Sequence, residues 1–165
     1  MAAEVIWVVD TSSVIAIRRS IENAKKAHVF AGMTALVQAG RLVFARQVLE
    51  ELERAADPKF PDAQYKWAKE NEAKACERAP TLDEVKEILR VVPTVLDPDK
   101  DTGAEEADPY VLALAARLRF GQREARVVTE ESKDYPRKMS LSTASGLLGI
   151  PSVPLLAFLR FEQIL

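Results

Sequence analysis

The chain has 165 residues, 48% of them hydrophobic, which is enough for one full core and too few for two comfortable domains. Its formal net charge of -2 excludes a strongly basic nucleic-acid binder, so any contact with nucleic acid has to come from a local patch. A lone cysteine, Cys76, excludes an internal disulfide and has no His or Cys at metal-ligand spacing, which fits a reducing compartment.

The start, Met1-Ala2-Ala3-Glu4, has no basic flank and leads into an apolar run too short for a signal peptide or a membrane span, so a cytoplasmic protein is expected. That run, Val5 to Val9, is β-branched or aromatic throughout, the pattern of a strand buried on both faces of a parallel sheet. It stops at Asp10, which precedes Thr11, Ser12 and Ser13. Ligand sites of open α/β sheets lie beyond the carboxyl ends of the strands, and this places Asp10 where chemistry is expected. Asp-Thr-Ser is also good helix-capping chemistry.

Val14 to Ile17 ends at Arg18-Arg19-Ser20. From Ile21 to Gln38 the residues Ile21, Ala24, Ala27 or His28, Ala31, Ala35 and Leu36 recur at helical steps, and Gly40 stops that helix. Leu42 to Ala45 is a second strand, and a helix follows from about Gln47 to Ala56, before Asp57-Pro58. On its wheel Val48, Leu52 and Ala55 form the buried stripe, Glu51 borders it and Glu50 points nearly opposite, so Glu51 is the better inward ligand.

Pro61 to Ala79 is charged and helical in pattern, and Thr81-Leu82-Asp83-Glu84 matches a capping box that opens a helix through Leu89. Val91 to Leu96, interrupted by Pro93, reads as a short edge strand, and Asp97 to Gly103 as an acidic loop. Asp108 to Phe120 is apolar on nearly every face, as in a helix buried against a sheet, with Pro109 at its first position and Asp108 as its cap. Thr102 and Glu105 offer a competing capping box. Arg126 to Thr129 is a further strand, followed by Glu130 and Glu131. Met139 to Leu148 is a small-residue helix closed by Gly149, Pro151 to Pro154 is a poor strand, and Leu155 to Ile164 is a terminal helix with two apolar faces.

This order predicts an α/β protein, a three-layer α/β/α sandwich around a mainly parallel sheet. Asp10 and Glu131 then lie just past strands, while Glu51 and Asp108 lie near helix starts. Both positions border the same sheet edge, so the four carboxylates should converge. Converging carboxylates repel one another unless a cation joins them, and an oxygen-only ligand set favours Mg²⁺ or Mn²⁺. Such an ion suits phosphodiester hydrolysis, in which it polarises a phosphoryl oxygen and activates water. His28, the lone histidine, has no partner in sequence and is read as structural.

Four blocks, Val8-Val9-Asp10-Thr11-Ser12-Ser13, Val48-Leu49-Glu50-Glu51-Leu52, Ala107 to Ala115, and Val127-Val128-Thr129-Glu130-Glu131, resemble those of PIN-domain nucleases, in the same order and across nearly the whole chain. Within that superfamily the chain is similar to VapC-type ribonuclease toxins and their uncharacterised relatives. The resemblance implies one PIN-like domain over residues 1–165 that cleaves RNA with Mg²⁺ or Mn²⁺. It implies Asp10, Glu51, Asp108 and Glu131 as direct or water-mediated ligands, with Ser12 and Thr129 orienting a carboxylate or a water. Glu131 stands where most of the family has Asp; Glu130 or Asp134 are the substitutes in reach. The chain also exceeds a typical toxin by a charged helical insertion at about 57–92.

Two basic groups offer contacts to RNA phosphate. One is Arg18, Arg19, Lys25 and Lys26; the other, in the insertion, is Lys66, Lys69, Lys74 and Arg78 with Tyr65 and Trp67. For the insertion, a solvated helix with a buried Trp67 is the simpler account. A host-damaging nuclease needs an inhibitor, which points to a cognate antitoxin, and the surplus apolar surface of the last helix points to a homodimer. The alternative is a non-catalytic PIN-like module that binds RNA or protein with a degraded metal site. A haloacid-dehalogenase-like phosphatase is disfavoured, because Ser12 occupies the place of its second Asp.

Overall fold

Val5–Val9 forms β1, buried along its whole length. A computed structural model describes residues 4–56, 62–99 and 106–165 of the protein. Asp57-Pro58, Pro61 and the Thr102/Glu105 capping box lie outside those residues. β1 is one of two inner strands, with β2 (Leu42–Val43) on one side and β3 (Glu124–Val128) on the other, and β4 (Ser152–Val153) pairs with β3. All pairings are parallel, giving the order β2-β1-β3-β4.

The helices are α1 (Thr11–Ser20), α2 (Asn23–Gln38), α3 (Arg46–Ala55), α4 (Ala63–Ala75), α5 (Leu82–Val91), α6 (Asp108–Phe120), α7 (Leu141–Leu147) and α8 (Leu155–Phe161). They flank the sheet as the outer layers of an α/β/α sandwich, as the alternation of strand and helix predicts. One apolar cluster runs from β1 through α6 and β3 to α8 and takes in Trp67, Val85 and Ile88 from α4 and α5.

Several local expectations are corrected. Val91 to Leu96 is not a strand: α5 runs through Val91, and Pro93–Val95 is a turn of 3₁₀ helix. Val92 and Val95 are buried in the core while Val91 is exposed, and Val92 N–H stays bonded to Ile88 O instead of entering a ladder. The sheet therefore has four strands among the described residues. In α2 the buried stripe is Val29, Met33, Leu36 and Val37, while Ala24, Ala27, Ala31 and Ala35 face solvent; larger side chains gain more from burial than alanines do. Ala55 of α3 is likewise exposed and Leu49 takes its place beside Val48 and Leu52. Residues 11–20, unassigned from sequence, are α1.

Helix α8 closes the amino end of the sheet. Glu162, just past it, accepts from Trp7 Nε1 at 2.7 Å and from both terminal nitrogens of Arg41, whose Nε donates to Val5 O at 3.2 Å. Phe158 and Phe161 pack on the Trp7 ring with centroids 5.0 and 5.4 Å away. Leu155, Phe158 and Leu159 are buried, so the outer face left for the expected homodimer carries Phe161 and Leu165.

The Glu162 side chain is only 10% exposed, and deleting it strands the Arg41 guanidinium. Glu162→Ala should lower unfolding free energy by about 3 kcal/mol, read by urea denaturation. The exposed pair Glu87 and Arg90 is the control, since Glu87→Ala should leave the midpoint in place.

Candidate metal centre at the carboxyl edge of the sheet

Because β1 and β3 run side by side in register, with Val9 opposite Val128, the residues that leave them emerge together. The chain departs from β1 toward β2 on one side while β3 lies on the other, so this is the switch point of the sheet, where α/β proteins open a crevice. Asp10 leaves β1 here and Thr129 to Glu131 leave β3. Helix α6 begins here at Asp108.

One carboxylate oxygen each from Asp10, Asp108 and Glu131 lies within 4.8 Å of the others. Asp10 forms the deep end at 2% exposure, and the Asp108 side chain is 13% exposed. Asp10 is the N-cap residue of α1 by backbone geometry, but its side chain makes no capping bond. It is held instead by two hydroxyls on the same oxygen, Oδ2: Ser12 Oγ at 2.8 Å and Thr129 Oγ1 at 3.0 Å. Each hydroxyl in turn accepts a backbone N–H, Ser12 from Glu130 at 3.0 Å and Thr129 from Glu131 at 3.1 Å. The orientation of Asp10 is thus locked to the exit of β3.

Glu51 stands beside the three-oxygen group and lines the same cavity of about 590 Å³ with Asp108 and Glu131. Its Oε1 accepts from Thr11 Oγ1 at 3.0 Å and from the Ala107 N–H at 3.3 Å, tying α3 to the starts of α1 and α6. Ala107, and not Asp108, is the N-cap of α6; Asp108 is the first helical residue with Pro109 second, which aims the acid out of the helix end. The neighbouring acids do other work. Glu130 accepts from the Leu155 N–H at 2.6 Å, where α8 begins. Asp134 accepts from Ser140 N–H and Thr143 Oγ1, bonds that hold its carboxyl below the ordinary range and fix the start of α7.

The electrostatics show the strain of this grouping. Burial, then the charges of Asp108 and Glu131, push Asp10 up to about 8 from its ordinary 3.8. Burial and Asp108 push Glu131 up to about 7. Glu131 Oε2 is buried with no hydrogen-bond partner. An orphaned carboxylate oxygen beside two more carboxylates fits a hard divalent cation such as Mg²⁺ or Mn²⁺, and the absence of nitrogen or sulfur donors argues against softer metals.

Sequence reasoning missed two contributors. Lys138 donates to Asp108 Oδ2 at 3.0 Å, and Thr11 anchors Glu51. Lys138 sits in a polar stretch without periodicity, between the end of β3 and the cap of α7, and nothing in such a stretch distinguishes an inward lysine from a solvated one. The basic candidates lie elsewhere. Arg18 and Arg19 end α1, a helix length or about 15 Å from the acid edge. Lys25 and Lys26 open α2, with Lys26 bonded to Arg18 O and Lys25 near Glu22. In the insertion Trp67 is buried and donates to Thr34 Oγ1 at 3.0 Å, while Lys66 and Lys69 face solvent.

Fold and site together define an all-parallel α/β/α protein with a carboxylate cluster at its switch point. The chain belongs to the DUF4411 family, a domain of unknown function, whose sequence profile matches residues 7–165. No curated protein and no solved structure matches it. No helix among the described residues is long and apolar enough to cross a membrane.

Raised carboxyl values mean that the metal-free fold binds protons more tightly than the unfolded chain, so the cluster lowers stability as pH rises from the ordinary carboxylate range to about 8. In chelator, the melting temperature of the wild type should therefore fall relative to Asp10→Asn between pH 5 and 8, and the two should run parallel above. Mn²⁺ should raise the wild-type value more at pH 8 than at pH 5, because it competes with protons for the same oxygens. A pH-independent difference between the two proteins contradicts the strained cluster.

Proposed function

We propose that the protein is a PIN-like, Mg²⁺- or Mn²⁺-dependent endoribonuclease that hydrolyses RNA phosphodiester bonds, and that it is the toxin of a toxin–antitoxin pair. The observation that carries the hydrolase reading is the meeting of Asp10, Asp108 and Glu131, the last two of which line a cavity that also bears Asp97, Asp99, Glu106, Lys133 and Arg137. Converging carboxylates beside an open cavity suit a divalent ion that holds a phosphodiester. RNA as substrate, the toxin role and a protein antitoxin rest on the resemblance of the four sequence blocks to VapC-type toxins, and a cytoplasmic setting rests on the N-terminal sequence and the lone cysteine.

In this reading Asp10, Asp108 and Glu131 hold the ion, Ser12 and Thr129 keep Asp10 aimed at it, and Glu51 presents its carboxylate to the cavity for a bound water. The ion, when bound, supplies Lewis-acid polarisation of the phosphoryl oxygen and activation of water. The water oxygen bonds to phosphorus, the bond to one bridging oxygen breaks, and the released oxygen takes up a proton. The rival reading, a binding module with a degraded site, drew on the longer side chain of Glu131. That carboxylate stands with the other two.

Purified protein should cut single-stranded RNA in Mg²⁺ or Mn²⁺ and not in EDTA. Asp10→Asn and Asp108→Asn should abolish cleavage without loss of helical circular dichroism. Ser12→Ala, which only loosens Asp10, should slow it about 10-fold. RNA bound but never cut by the wild type, with retention indifferent to both Asn variants, selects the module.

A further inference from the structure

Lys138 is the residue of this site to which the nuclease reading gives no specific role. Its ammonium donates to Asp108 Oδ2 at 3.0 Å and to Met139 O at 3.2 Å, and its side chain is only 18% exposed. An ammonium has three donors, so one remains for another acceptor. The residue is mounted firmly. Tyr135 and Lys138 exchange both backbone hydrogen bonds, at 2.9 and 3.2 Å, to close a tight turn. Met139 N–H is bonded to Thr94 O at 2.7 Å, and Ser140 caps α7. Arg137, one residue earlier, is by contrast an exposed rim residue paired with Asp99.

We propose, on the basis of the nuclease reading above, that Lys138 is a substrate-positioning residue that takes the place of a second metal ion: the site binds one divalent cation and grips the RNA phosphate between that ion and the Lys138 ammonium. Two ions about 4 Å apart need carboxylate oxygens that can face both of them. Asp108 has already given Oδ2 to Lys138. A second dication near Asp108 meets a fixed positive charge, whereas a phosphate oxygen meets a donor that is partly desolvated and free to bond. The same ammonium partly offsets the repulsion between Asp108 and Glu131 in the metal-free protein, so the cluster persists until an ion arrives.

The test titrates the full chain with Mn²⁺ alone by calorimetry, then measures binding of a short fluorescein-labelled oligoribonucleotide in Ca²⁺. Wild type should take up one Mn²⁺ per chain. Lys138→Met should take up a second Mn²⁺, or bind the first at least 3-fold more tightly, and should lose oligoribonucleotide affinity by about 10-fold. Lys138→Arg should keep a single Mn²⁺, and Lys138→Gln serves in place of Lys138→Met if circular dichroism shows that variant unfolded. Unchanged Mn²⁺ binding in the neutral variants, unchanged oligoribonucleotide affinity, or two ions in the wild type each overturns the proposal. Absence of RNA cleavage by wild type in Mn²⁺ refutes the nuclease reading instead, and leaves the Mn²⁺ comparison readable.

Discussion

Three carboxylates kept close together and largely out of water are the constraint from which the rest of the site follows. Free in solution they would separate. Here they cannot, because Asp10 and Glu131 issue from adjacent strands whose register is fixed as far as Val9 and Val128, and Asp108 begins a helix buried against those strands. The apolar cluster beneath, with Val8, Val9, Val127, Val128, Val111 and Leu112 all at or near zero exposure, supplies the cohesion that overrides the repulsion. The positive ends of α1 and α6 both point at the group and temper it without cancelling it.

The protein shows elsewhere how it treats a buried acid whose work is structural. Glu162 has an indole N–H and a guanidinium on its two oxygens, so that nothing is left unsatisfied. At the other edge of the same sheet Glu131 Oε2 has no partner, and Asp10 and Glu131 are driven toward their protonated forms. The contrast is informative because both acids belong to one fold with one core. Partners were available in kind, as Ser12, Thr129 and Lys138 demonstrate, yet they bind Asp10 and Asp108 and leave Glu131 Oε2 without one.

Much of this was legible in the sequence, and for identifiable reasons. Val5 to Val9 is unambiguous because full burial on both faces leaves no polar residue to blur the pattern, and its abrupt end at Asp10 marks the sheet edge. Glu51 was separable from Glu50 by the helical wheel because Val48 and Leu52 are large enough to define the inner face. The wheel failed for α2, where four alanines at helical spacing match in number the two valines, methionine and leucine that decide the face, and it misjudged Ala55 by the same weighting. Val91 to Leu96 failed differently: Val92 and Val95 satisfy a core, and no strand among the described residues lies beside them to pair with. Lys138 was illegible in principle, since its role is fixed by a turn that closes between Tyr135 and Lys138 and by a carboxylate thirty residues away.

The charged insertion now has a physical place that its composition concealed. Trp67 of α4 packs against Phe30 and Phe44, so this candidate for stacking on a base is part of the core. Helix α5 lies along α6, and Arg117 of α6 reaches back to donate to Ala79 O at 2.6 Å just before α5. Helix α5 therefore braces the outer side of α6, whose first residue is Asp108. A helix so confined along its length keeps its N-terminus aimed at Asp10 and Glu131 despite their mutual repulsion. Lys66 and Lys69 of α4 turn to solvent because its other face, with Trp67 and Ala68, is occupied by the core.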